Sequence, residues 1–155
     1  MKKIALLLAA VIALSVILCA CSSGPKSLSQ IFEEINEKFE LKDMLVLTTA
    51  DQLDRYYGIS ADDVEEFAGC INSTGLDQEE IIMVKAKDEA AAERIKKSLD
   101  TRYDAKLKQN ISYNPEQAEI IQACSVEQEG LYVSMIVSEN AEEMTKIYKS
   151  SIPKS

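Results

Sequence analysis

The sequence predicts a small α+β domain, a mainly antiparallel sheet packed against helices and preceded by an amphipathic helix. Three observations carry this. Segments with apolar residues at helical spacing follow capping residues at Ser27, Thr49, Ser60, Asp88, Asn114 and Asn140. Residues 80–87 hold a β-type apolar run of Ile81, Ile82, Met83, Val84 and Ala86. Residues 125–137 read as a hairpin turning at Glu129-Gly130. Hairpin strands pair antiparallel, and helices interspersed among them cover the sheet.

The elements follow in order. Leu28, Ile31, Phe32, Ile35 and Phe39 share one helical face, opposite Glu33, Glu34, Glu37 and Lys38, and Ser27 with Gln30 forms a capping box. Met44-Leu45-Val46-Leu47 is apolar but too short to fix its type. Thr49 with Gln52 opens a short helix that Gly58 ends. Ser60 with Asp63 opens a third helix through Val64, Phe67 and Ala68, and residues 69–74 read as an edge strand broken by Gly75. After the 80–87 strand, Asp88 caps a long helix to about Gln109, with Ala91, Ile95, Leu99, Tyr103 and Leu107 as its apolar line. Glu93–Lys97 and Asp104–Lys108 stand at ion-pair spacing along it. Asn114 and Pro115 start a helix carrying Ala118, Ile121 and Ala123. The hairpin comes next. Asn140 with Glu143 then opens a last helix using Ala141, Met144, Ile147 and Tyr148.

The amino terminus has a different character. Met1-Lys2-Lys3 is a short positive region, and residues 4–18 run apolar with Ser15 as the only polar member. As a helix that run would span roughly 22 Å, short of the ~30 Å hydrocarbon core, which suits an export signal better than a stable span. Leu18-Cys19-Ala20-Cys21 follows and looks like a lipobox. The Cys21 thiol is the nucleophile that would take up a diacylglyceryl group, and small Ala20 would let a peptidase reach the Ala20–Cys21 bond. Two alternatives are a cleaved secretory signal with a coincidental cysteine and an uncleaved anchor. Ser-Ser-Gly-Pro-Lys at residues 22–26 is short and polar, as a tether should be. The organisation expected is a lipoprotein signal peptide over 1–20, a lipidated Cys21 with its tether over 21–26, one domain over 27–150 and a tail over 151–155.

Within 155 residues there is room for one such domain. The whole chain has 17 basic and 26 acidic residues; without Lys2 and Lys3 the basic count is 15 and the net charge −11. That surface repels nucleic acid, which is therefore not an expected partner. The expected partners are the membrane, through lipid on Cys21, and an envelope protein or a small ligand.

Residues 51–147 resemble a domain of unknown function found in Gram-positive cell-surface lipoproteins. The matching pieces are Tyr57-Gly58-Ile59 with Asp63-Val64-Glu65-Glu66, and residues 80–85 with Asp88. Tyr113-Asn114-Pro115-Glu116 and Gly130-Leu131-Tyr132-Val133 complete the set. The resemblance implies a small extracytoplasmic domain behind a lipobox. It implies no activity, substrate or catalytic residue.

Chemistry-bearing residues are sparse. Histidine is absent, which removes the commonest general base and metal ligand. Asp62, Asp63, Glu65 and Glu66 are dense enough for a cation site but lack the alternating ligands and central glycine of a calcium loop; a solvated first helical turn accounts for them better. Ser23 with Lys26 and Ser151 with Lys154 repeat a Ser-x-x-Lys spacing, each with proline between, and Asn72 and Asn110 begin glycosylation-type triplets that mean little in a bacterial chain. Cys70 and Cys124 could pair as a disulfide in an exported protein, although buried free thiols suit them better. Tyr56, Tyr57 and Tyr113 could line a binding face, or else cover the core. No catalytic residue, metal site or cofactor site is expected. The reading is a membrane-tethered extracytoplasmic domain that binds a partner or ligand, or assists an envelope complex. An envelope enzyme using Asp/Glu or Lys chemistry is the alternative, and a two-lobed transporter-type binding protein needs a longer chain.

Overall fold

The computed structural model describes residues 25–75 and 77–154; the leader and Cys21 lie outside the described residues. The elements run α1 (Leu28–Phe39), β1 (Met44–Val46), α2 (Ala50–Tyr57), a 3₁₀ turn (Ala61–Asp63), β2 (Val64–Asn72) and β3 (Glu80–Ala86). Then come α3 (Glu89–Tyr113), α4 (Pro115–Gln122), β4 (Val126–Glu129), β5 (Tyr132–Val137) and α5 (Ala141–Ser151). The strands form one antiparallel sheet in the order β1-β2-β3-β5-β4. The predicted α+β class is what folds.

Side chains of successive strand residues point to opposite faces. In β3 every residue from Glu80 to Val84 is buried, so both faces of the sheet must be covered. The helices divide accordingly. Glu80 meets Arg102 and Lys106 of α3, which puts α2, α3 and α4 over the face of Glu80, Ile82 and Val84. The opposite face, with Ile81, Met83, Ala68 and Cys70, lies under α1 and α5. The core is therefore two apolar layers, one on each side of the sheet.

Local signals fix most boundaries. Ser27 Oγ accepts from Gln30 N at 3.2 Å and Gln30 Oε1 from Ser27 N at 3.0 Å, closing the capping box of α1. Gln52 Oε1 accepts from the backbone N–H groups of Thr48 (2.7 Å) and Thr49 (3.0 Å) at the start of α2. Gly58 ends α2 at φ 66°, the left-handed conformation that costs glycine least, and its N–H reaches Asp54 O at 2.8 Å. Asp88 Oδ1 caps α3 through Ala91 N at 2.7 Å.

The structure departs from the sequence reading in four places. Residues 64–68 are strand: Ser60 opens only the 3₁₀ turn, and Val64–Asn72 pairs with β1 on one side and β3 on the other. β2 is thus interior, and the edge strand is β1. A bulge at Glu65 sets its register, since Val64 faces Ala86 and Glu66 faces Lys85. α3 continues past Gln109 to Tyr113, and its ion pair is Lys96–Asp100 at 2.7 Å rather than the pairs spaced for it. Finally, α5 runs to Ser151 and Ile152 is buried, so the packed domain reaches beyond residue 150.

Candidate functional site

Cys21, the residue the sequence singles out, lies outside the described residues. The acidic group around Asp63 is fully described, and it disperses. Asp63 holds Arg94 with two bonds, 3.0 Å to Nε and 2.6 Å to Nη2, and this keeps its carboxyl below the ordinary range. Glu65 pairs with Lys85 at 2.7 Å. Glu66 accepts the Leu28 N–H at 2.7 Å and so serves the amino end of α1. Each of these three carboxylates has its own partner, and among the described residues no group of His, Cys, Asp or Glu is arranged to hold a metal.

Cys70 and Cys124 are both buried free thiols; the candidate disulfide is not formed. Cys70 sits mid-strand in β2 between Val46 and Ile81, and Cys124 lies just past α4, its Sγ 3.1 Å from Ile120 O. Burial, with the Glu79 charge adding to it, pushes the Cys70 thiol up to about 12, and burial raises that of Cys124. Neither is a thiolate nucleophile at neutral pH. A thiol reagent is therefore expected to leave both unmodified in the folded protein and to react with both after denaturation without reductant. Failure to titrate them in the denatured, unreduced protein would mean that they are paired.

The tyrosines do not build one face. Tyr57 and Tyr148 are buried, Tyr103 donates to Ile121 O at 3.0 Å, and Tyr132 packs under the Lys85 ammonium at 5.9 Å. Tyr113 is 86% exposed. Asn110 is buried, with its amide on Lys106 O at 2.8 Å. Lys26 pairs with Glu34, and Lys154 borders a groove described below.

The most unusual group in the molecule went unread in the sequence. Glu80 opens β3 with its side chain wholly buried. Arg102 clasps it with two bonds, Nε–Oε1 at 3.0 Å and Nη2–Oε2 at 2.9 Å, and Lys106 Nζ stands 2.9 Å from Oε2. Lys106 also donates to Gln78 O and Oε1, each at 3.1 Å. The Tyr57 hydroxyl is buried beside this group without a hydrogen bond of standard geometry; burial, then the Glu80 charge, raises its pKa. The carboxylate is neutralised by two cationic partners. Wholly buried and held by both cations, it ties α3 onto the sheet and is closed off from solvent.

Two concave regions among the described residues have charged rims. A groove of about 720 Å³ runs between β4 and α5, bordered by Glu127, Glu129, Lys146, Lys149 and Lys154, with Cys124 and Ile136 also lining it. An ion pair between Lys149 and Glu127 spans it. A neighbouring hollow of about 530 Å³ is lined by Glu40, Asp43, Asp77, Glu79 and Glu139, and there Ser138 Oγ donates to Glu79 at 2.6 Å.

The family model of a domain of unknown function, DUF4358, matches residues 37–138, about two thirds of the 155-residue chain. The chain belongs to the DUF4358 family. The matched stretch takes in all five strands with α2, α3 and α4, while most of α1 and all of α5 lie outside it. The DUF4358 match therefore spans the sheet and one helical layer. No curated protein and no solved structure matches the chain.

Proposed function

We propose that this DUF4358 protein is an extracytoplasmic lipoprotein of the Gram-positive type. In this reading diacylglycerol on Cys21 anchors it to the membrane, and the acidic α+β domain binds an envelope partner or ligand. The observation that carries this is Leu18-Cys19-Ala20-Cys21, placed directly after a positive start and a fifteen-residue apolar run at 4–18. The packed domain begins at Ser27, so residues 22–26 provide a short spacer between lipid and fold. Two acyl chains would give lasting attachment where one alone is marginal. A binding role, rather than catalysis, is supported by the carboxylates of the Glu80 and Asp63 groups, which are occupied by cationic partners.

The test uses the full chain expressed in a bacterium fed radiolabelled palmitate. Wild type is expected in the membrane fraction, labelled, and smaller than the precursor. Cys21→Ala should be unlabelled and should retain precursor size. A Cys21→Ala protein that stays labelled, or matches wild type in size and membrane association, would overturn the reading.

A further inference from the structure

α5 carries a buried hydroxyl that the resting fold does not use. Tyr148 is 2% exposed, and among the described residues its Oη makes no hydrogen bond of standard geometry. A buried hydroxyl in that state costs the fold stability. Register shows what surrounds it. Glu127 lies opposite Ser134 and Glu129 opposite Tyr132, and Ser134 in turn faces Met83. Both glutamates therefore project to the sheet face that α5 covers. Burial raises the Tyr148 pKa, the Ser134 hydroxyl beside it acts against this, and Tyr132, Glu129 and Glu127 add to the rise. The Tyr148 hydroxyl thus lies close to both carboxylates of β4.

An ion pair straps this region. Tyr148 lines a hollow of about 290 Å³ with Gln128, Gly130 and Ile152, next to the groove of about 720 Å³. Glu127, Glu129 and Lys149 border both spaces, so the Lys149–Glu127 pair stands between them. Its side chains are 47% and 30% exposed, and a pair so placed opens at little cost. Opening joins the two spaces into one site of ordinary ligand size, within the ~300–1,000 Å³ range. Charge is divided along it. The Tyr148 end holds Glu127 and Glu129, and the other end adds Lys146, Lys154 and Glu142. Lys146 and Lys154 have no ion-pair partner among the described residues. Ala123, Ile136 and Ala141 give that end an apolar lining.

We infer that the joined groove binds a short peptide with free ends, its ammonium on Glu127, Glu129 and the Tyr148 hydroxyl and its carboxylate on Lys146, Lys149 and Lys154. The peptide's ammonium takes the place that Lys149 holds on Glu127 and donates to Tyr148 Oη, which gains the hydrogen bond it lacks at rest. The freed Lys149 turns to the peptide's carboxylate, and the apolar lining takes the chain between the ends. Both charges of the ligand are needed. A bare anion meets Glu127 and Glu129, and a bare cation meets the three lysines. A peptide with free ends also carries no net charge, so the field of this strongly acidic chain does not repel it. The inference rests on the binding half of the proposed function and makes no use of lipid at Cys21.

Blocking the ends of a peptide gives the test. The full chain in detergent is titrated calorimetrically with trialanine, N-acetyl-trialanine and trialanine amide. Trialanine is expected to bind, and each blocked form about tenfold or more weakly, the loss of one charge-assisted contact. Tyr148→Phe should unfold at the wild-type temperature or above it, since no hydrogen bond of the resting fold is lost. It should nevertheless bind trialanine roughly three- to tenfold more weakly. Lys146→Met combined with Lys154→Met should weaken trialanine about tenfold and leave trialanine amide unchanged. No binding of trialanine, a blocked form that binds as tightly, or a Tyr148→Phe protein that binds like wild type would overturn the inference. Palmitate labelling at Cys21 is unaffected by any of these results, so the lipid reading is judged separately.

Discussion

Glu80→Ala is expected to destabilise the domain by about 3–5 kcal/mol, the cost of stranding buried charges by removing one partner of an ion pair. In a domain of this size that lowers the midpoint of thermal unfolding by roughly 12–20 °C. The reason is asymmetric burial. Arg102 keeps 33% of its side chain exposed and can turn toward water, but Lys106 keeps only 6%. Without Glu80 the Lys106 ammonium keeps, among the described residues, only Gln78 as a partner. Adding Lys106→Met should therefore recover part of the loss, a coupling that a double-mutant cycle measures. Glu80→Ala and Glu80→Ala/Lys106→Met of equal stability would show that the ammonium is not stranded.

The same residue sets an acid limit. Burial alone would raise the Glu80 pKa, but the hydrogen bonds from Arg102 and the charge of Lys106 outweigh it and hold the carboxyl below its ordinary 4.5. The folded value is the lower one, so the unfolded chain takes up the proton first. The stabilisation is complete above about 4.5 and drains away as pH falls toward the folded value. Glu80→Gln lacks this contribution and should lose stability less steeply below pH 4.5 than wild type does.

Much of the framework is legible residue by residue because its causes are local. Ser27 with Gln30, Thr49 with Gln52, Asp88 and Asn114 stand within four residues of what they cap. β2 shows where this stops. Val64, Phe67 and Ala68 fit a helical face, while Phe67, Gly69 and Ile71 fit a strand face equally well. What decides between them is pairing with β1 and β3, segments distant in sequence. The acidic group failed for the same reason. Its density is visible at once, but the partners Arg94, Lys85 and the Leu28 N–H lie 31, 20 and 38 residues away. For the Glu80 group a signal did exist. Arg102 and Lys106 fall on the same helical face as Ile95, Leu99 and Tyr103, and cations interspersed with a core-facing line require a buried acid. The site proposed at Cys21 is the reverse case, read wholly from local sequence.

Gly69→Ala is expected to cost about 3 kcal/mol, the upper end of what overpacking usually costs. A methyl at this position would lie 2.3 Å from Ile81 O, 3.0 Å from Ile82 Cα and 3.2 Å from Ile81 C. All three are backbone atoms of β3, so no side chain can swing aside and the two central strands must separate. Gly69 O also accepts the Leu47 N–H at 2.9 Å, and any shift of β2 is passed to β1. Gly58→Ala supplies the contrast. A methyl there meets nothing within 4 Å, and the only penalty is the left-handed backbone at φ 66°, about 1 kcal/mol. Urea unfolding of the two variants should thus separate close approach from backbone conformation, with Gly69→Ala the less stable by about 2 kcal/mol. Equal losses would mean that β2 and β3 can part without breaking the ladder.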